Sequence, residues 1–108
     1  MGELPEDVSM VLGRVVGTVV STSKDVNLEG LKLLVVRHVN PDMKELDVYT
    51  VAADGIGAGR GEYVLVVTGS SARMGTQVKN RPLDAAILAI VDSVEIEGVR
   101  QEMAGRGR

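Results

Sequence analysis

Five runs of aliphatic and β-branched residues organise this chain, and all but one of them are apolar on both faces. They are "SMVLGRVVGTVVST" (9–22), "LKLLVVRHV" (31–39), "LDVYTVAAD" (46–54), "EYVLVVTG" (62–69) and "ILAIVDSVEI" (87–96). Their composition favours strands, and no helical period runs through them. A half-buried strand alternates apolar with polar residues. In the first run, Val11, Val15 and Val19 share a face with Gly13 and Gly17, while Met10, Leu12, Val16 and Val20 fill the opposite face. The second run sets Leu31, Leu33, Val35 and Val39 against Leu34 and Val36. The fourth and fifth runs repeat the pattern: Val64 and Val66 against Leu65 and Val67, then Ile87, Ala89 and Val91 against Leu88, Ile90, Val94 and Ile96. A small barrel buries only one face of each strand, so the other face needs a second surface.

That arrangement predicts a mainly β fold: a small five-stranded OB-like β-barrel with one or two short helical turns. The turns fall in "SSARMGTQ", with Ser70 or Ser71 as N-cap, and in "NRPLDAA". Gly13 and Gly17 mark places where the first strand bends or another backbone comes close. With 108 residues the chain suits one domain, expected over residues 10–96, with a flexible leader at 1–9 and a frayed tail at 97–108. There is no Phe or Trp, so the core is aliphatic. If about six outward side chains per subunit became fully buried between copies, the gross gain would be about 9–18 kcal/mol. That is comparable with an association cost of about 4–15 kcal/mol, so self-association is expected.

The chemistry searched for is mostly missing. "DGIGAGRGE" (54–62) places glycine at 55, 57, 59 and 61. It fails the P-loop spacing, because Arg60 stands where the second glycine belongs, and no Lys-Ser or Lys-Thr pair follows. It also fails the dinucleotide fingerprint, because a strand rather than a helix follows. What remains is geometric: such glycines permit positive φ and close packing against another chain. "GSSAR" (69–73) lacks the last glycine of a nucleophile elbow. The single histidine, His38, lies within a strand. Asp47, Asp54, Glu62, Asp84 and Asp92 are scattered and form no metal-ligand spacing, with Asp92 expected to be partly buried in the fifth strand. No catalytic set, metal site or cofactor is expected. Formal net charge is −3, the opposite of a nucleic-acid footprint. No cysteine excludes disulfides, no apolar run reaches membrane-spanning length, and the acidic start is unlike a signal peptide, so a cytoplasmic protein is expected.

Three motifs in order, "GAGRGE" (57–62), "GSSAR" (69–73) and "PLDAAILAIVD" (82–92), together with "MVLGRVVGTVVST" (10–22), resemble the EutN/CcmL family of bacterial microcompartment vertex proteins. The similarity spans residues 10–96. It implies a barrel that assembles as a pentamer and caps the vertices of a cytoplasmic protein shell, beside hexameric and trimeric shell proteins. It also implies a structural protein rather than an enzyme, with a narrow opening along the fivefold axis. On that resemblance, Gly57, Ala58, Gly59 and Gly61, then Ser70, Ser71, Ala72 and Arg73, are the candidates for a subunit boundary or the central opening. Arg73 is placed to pair with a neighbour's carboxylate. The alternative is an OB-fold module for single-stranded nucleic acid or a small ligand, which needs a basic groove and stacking aromatics. Tyr49 and Tyr63 are the only aromatics available for it.

Overall fold

The computed structural model describes residues 9–20, 32–69 and 85–103. Five strands close into a barrel: β1 (Ser9–Val19), β2 (Lys32–Val39), β3 (Glu45–Asp54), β4 (Tyr63–Thr68) and β5 (Ala85–Ile90). Their order around the barrel is β1-β2-β3-β5-β4. All pairings are antiparallel except β3 with β5, which is parallel. Closure removes the exposed edges that make open sheets aggregate. The five-stranded barrel expected from the sequence is therefore present. No α-helix occurs among the described residues, and both predicted helical turns start outside them. Ala85 and Ala86, expected in the second turn, instead open β5.

The core is aliphatic, as the absence of Phe and Trp requires. Val15, Leu34, Val36, Ala52, Ala58, Val64, Val66, Ala85 and Ile87 fill the barrel and are buried. Three irregularities steer which residues reach it. On β1 the register slips between Val15 and Gly17, so Val16 is an extra residue. Before the bulge Val11 and Val15 face inward, and after it Val19 stands opposite the outward Leu33. The expectation that Val11, Val15 and Val19 share one face is corrected by that slip, since an added residue inverts the alternation. Between β2 and β3, Arg37 pairs with Tyr49 but Val39 pairs with Glu45, leaving Leu46 to Val48 opposite His38 alone. Between β4 and β5 the slip makes Leu88 the extra residue. Gly13 has a steric reason: a Cβ there would run into Val36 Cγ1 and stand 2.7 Å from the Arg37 carbonyl oxygen.

The strand expected at 87–96 is two strands. β5 stops at Ile90, the Val91 amide bonds the Tyr63 carbonyl at 2.8 Å, and the chain then enters a separate hairpin. This hairpin joins β6 (Ser93–Ile96) to β7 (Val99–Glu102). The reading of frayed chain from residue 97 is corrected as far as residue 103: β7 pairs along all of β6, and the Met103 amide bonds the Asp92 carbonyl at 3.1 Å. Glu97 and Gly98, at φ 50° and 84°, make the turn with positive φ at both central positions that two-residue hairpins favour.

Candidate functional site

Residues opposite one another in a sheet share a face, so the register shows what the outer wall of the barrel carries. One row runs Val19, Leu33, Ala53, Ala86, Val67, Met10, passing through all five barrel strands. A second runs Ala89, Leu65, Leu12, and a third Gly17, Val35, Val51. Ala53, Val67 and Ala86 form a second buried cluster, distinct from the barrel interior, with Leu33 packed on it. Met10, Val48, Val51 and Leu88 remain about half exposed. The two-sided apolarity read from the sequence is thus a real wall, covered in part by its own subunit and open elsewhere.

The glycine loop is fastened to its own barrel. Asp54, whose side chain is 1% exposed, ends β3 and accepts hydrogen bonds from the Ile56 and Gly57 amides at 3.1 and 3.2 Å. The Lys32 ammonium lies 3.4 Å from Asp54 Oδ2 and donates to the Ala58 carbonyl at 3.1 Å. At that separation it neutralises Oδ2 without an aligned hydrogen bond. Ala58 is turned inward and fully buried in the core. Glu62 accepts from the Gly59 amide at 2.7 Å, the Gly61 amide bonds the Val15 carbonyl at 2.8 Å, and the Val15 amide bonds the Glu62 carbonyl at 2.9 Å. Gly57 and Gly61 hold φ of 86° and 92°, where a side chain is strained, and Gly59 does not. The amides of Ile56, Gly57, Gly59 and Gly61 are therefore taken up by carboxylates and by β1 rather than left to face a phosphate. Gly55, Ile56, Gly57 and Arg60 are the loop's exposed residues.

A polar row crosses the otherwise apolar wall: Tyr63, Arg14, Arg37, Tyr49, on β4, β1, β2 and β3. Sequence reasoning missed it, because the four residues are brought together by register alone. Arg14 and Arg37 stand directly opposite one another, and Glu45 bridges them at 3.1 and 3.3 Å. Arg37 also donates to the Leu46 carbonyl at 2.7 Å and lies over the Tyr49 ring, 5.6 Å from its centroid.

Of the predicted positions, Gly57, Ala58, Gly59 and Gly61 are described above, whereas Ser70, Ser71, Ala72 and Arg73 lie outside the described residues. His38 shares a 2.6 Å hydrogen bond with Thr50. Asp92 is exposed and lies between β5 and β6, which corrects its expected partial burial within a strand. Asp84 lies outside the described residues. Among those described, no group of three or more His, Cys, Asp or Glu side chains is placed to hold a metal.

The family described as ethanolamine utilisation protein EutN/carboxysome matches residues 10–92. The chain is 48% identical over 87 residues to the carboxysome shell vertex protein CcmL of Synechocystis, covering 81% of this chain and 87% of that one. It is 49% identical to the microcompartment shell vertex protein GrpN of Rhodospirillum rubrum, covering 80% and 97%. Among solved structures, CcmL of Nostoc superposes with TM-score 0.79 at 44% identity, over 83% of this chain and 95% of that one. The structure of GrpN, described as a pentameric microcompartment shell protein, gives TM-score 0.73 at 46% identity, over 80% and 98%. A barrel of this strand order, matched by the family over all five of its strands, belongs to the EutN/CcmL family.

Proposed function

We propose that this chain is a structural subunit of a bacterial microcompartment shell, in the cytoplasm, and that it forms pentamers that cap the shell's vertices. The observation that carries the reading is the outer wall: apolar rows on a closed barrel, with Met10, Val51 and Leu88 half exposed in a single subunit. The relatives support it, being vertex proteins of carboxysomes and other microcompartments, one of them described as pentameric. At the vertices the pentamer would meet hexameric and trimeric shell proteins. Its work is to close a surface rather than to catalyse a reaction.

Native mass spectrometry tests the reading directly. Five copies are expected, and a monomer at high concentration overturns it. Co-expression with hexameric shell proteins supplies the second arm: closed polyhedra are expected with this chain, and open or unsealed shells without it.

The polar row is the one observation that favours the alternative, since it gathers both tyrosines and two arginines on one face of an OB-like barrel. Against it, Glu45 occupies both guanidiniums, and Arg37 is further committed to Leu46 and Tyr49. Filter binding with single-stranded oligonucleotides at low salt separates the two readings. No retention is expected.

A further inference from the structure

An aspartate before a glycine is a labile step in a polypeptide, because no side chain shields the glycine nitrogen and its backbone reaches many conformations. Asp54–Gly55 is the only Asp-Gly pair in this chain, and no Asn-Gly pair occurs. The reaction open to it needs no reagent but water. The Gly55 nitrogen attacks Asp54 Cγ, its proton and one carboxyl oxygen depart as water, and a cyclic imide closes. Water then opens the ring. Opening at Cγ restores aspartate. Opening at the main-chain carbonyl carbon frees the α-carboxylate and leaves the chain running on through Cβ and Cγ, as isoaspartate. One water leaves and one returns, so mass and oxidation state are unchanged.

Attack requires a carboxyl group free to turn, an oxygen free to take a proton and leave, and water at hand. The fold withholds all of them. The Asp54 side chain is 1% exposed. Its Oδ1 is held by the Ile56 and Gly57 amides at 3.1 and 3.2 Å, which fix the carboxylate on residues beyond Gly55. Its Oδ2 is buried without a hydrogen bond, and the Lys32 ammonium lies 3.4 Å away. A carboxylate oxygen leaves only after taking a proton, and the ammonium competes with that proton. Lys32 is itself pinned. It stands directly opposite Asp54 in the β2–β3 register and donates to the carbonyl of buried Ala58 at 3.1 Å. One lysine thus fastens the loop on both sides of Gly55, at Asp54 and at Ala58.

We propose that Asp54–Gly55 is a site of spontaneous isoaspartate formation that Lys32 holds in check. Escape from that check has a structural consequence. Isoaspartate inserts Cβ into the main chain and takes the carboxylate off the Ile56 and Gly57 amides, so the loop loses the fastening that seats Ala58 in the core. Nothing in this chemistry depends on how many copies assemble.

The experiment stores the full folded chain at near-neutral pH beside a synthetic peptide of residues 45–60, the segment that trypsin releases by cutting after Lys44 and Arg60. Electron-transfer fragmentation of that segment reads isoaspartate at position 54 and separates it from position 47. The free peptide is expected to isomerise about tenfold or more faster than the folded parent, since attack in the fold waits on local opening. Lys32→Gln removes the charge and keeps a donor. It is expected to raise the rate in the folded chain about fivefold, the reach of a partly exposed ion pair. Lys32→Arg keeps the cation and is expected to stay within about twofold of the parent. Circular dichroism verifies that both variants fold. Equal rates in the peptide and the folded parent overturn the proposal, and that comparison needs no variant. A folded Lys32→Gln chain that isomerises no faster than the parent also overturns it. So does a Lys32→Arg chain that isomerises as fast as Lys32→Gln, because the effect would then be general loosening rather than lost charge.

Discussion

A methyl group at Gly13 has no space to occupy, because Val36 and the backbone of Arg37 close over it. At Gly17, four residues along the same strand, nothing lies within 4 Å of an added Cβ. Gly13→Ala is therefore expected to cost about 2 kcal/mol or more through overpacking. Thermal unfolding would show this as a fall of roughly 8–16 °C. Gly17→Ala is expected to be neutral or slightly stabilising in the same measurement. The sequence marked both glycines alike; which one is obligatory depends on the partner strand, which spacing does not show. The glycine loop divides in the same way. Gly57→Ala and Gly61→Ala force a side chain into the left-handed region at a cost of about 1 kcal/mol each. Gly59→Ala brings a Cβ to 3.5 Å from Glu62, an ordinary contact, and is expected to unfold within a degree or two of the parent. Ala58 was legible as a candidate but not as a core residue, because only the fold reveals that the loop bends back over its own barrel.

Strands were the most legible elements. Each of the first four lies within two or three residues of its expected limits, since β-branched runs between Gly, Pro and Asn signals leave few other choices. The hairpin was missed because "ILAIVDSVEI" looks continuous. A signal was there: Glu97–Gly98 sits at the centre of a pattern pairing Val94 with Gln101, Glu95 with Arg100 and Ile96 with Val99. The Arg14–Glu45–Arg37 bridge lies on the β1–β2–β3 seam, and its side chains are about a third exposed. Glu45→Gln leaves two like charges directly opposed, which opposes strand pairing. Because water screens the cluster, the expected loss is only about 0.5–1 kcal/mol. Urea unfolding should show the gap between variant and parent shrinking as salt approaches about 1 M, where screening lengths are near 3 Å. A gap independent of salt would assign the loss to packing instead.

For the molecule as a whole, the wall limits how tightly the subunits hold. Met10, Val48, Val51 and Leu88 on the wall, and Ile56 on the glycine loop, are already half covered, so each gains only half of a full burial. Together they offer about 4–8 kcal/mol per contact. That sits at the lower end of an association cost of about 4–15 kcal/mol, so other contacts must contribute. Assembly is accordingly expected to depend on concentration, with dilution releasing monomers in native mass spectrometry. Leu88→Asp should raise the concentration for half-assembly about tenfold or more while the circular dichroism spectrum stays unchanged. Simultaneous loss of fold and assembly would place Leu88 in the subunit's own core.

The barrel interior is stoppered by its own valines and alanines together with Leu34 and Ile87, with Ala58 wedged in from the loop. No solute can thread such a lumen. In a five-membered ring, permeation would have to follow the gap where the copies converge, so the bore of the assembly, and not the barrel, would decide what a shell corner lets through.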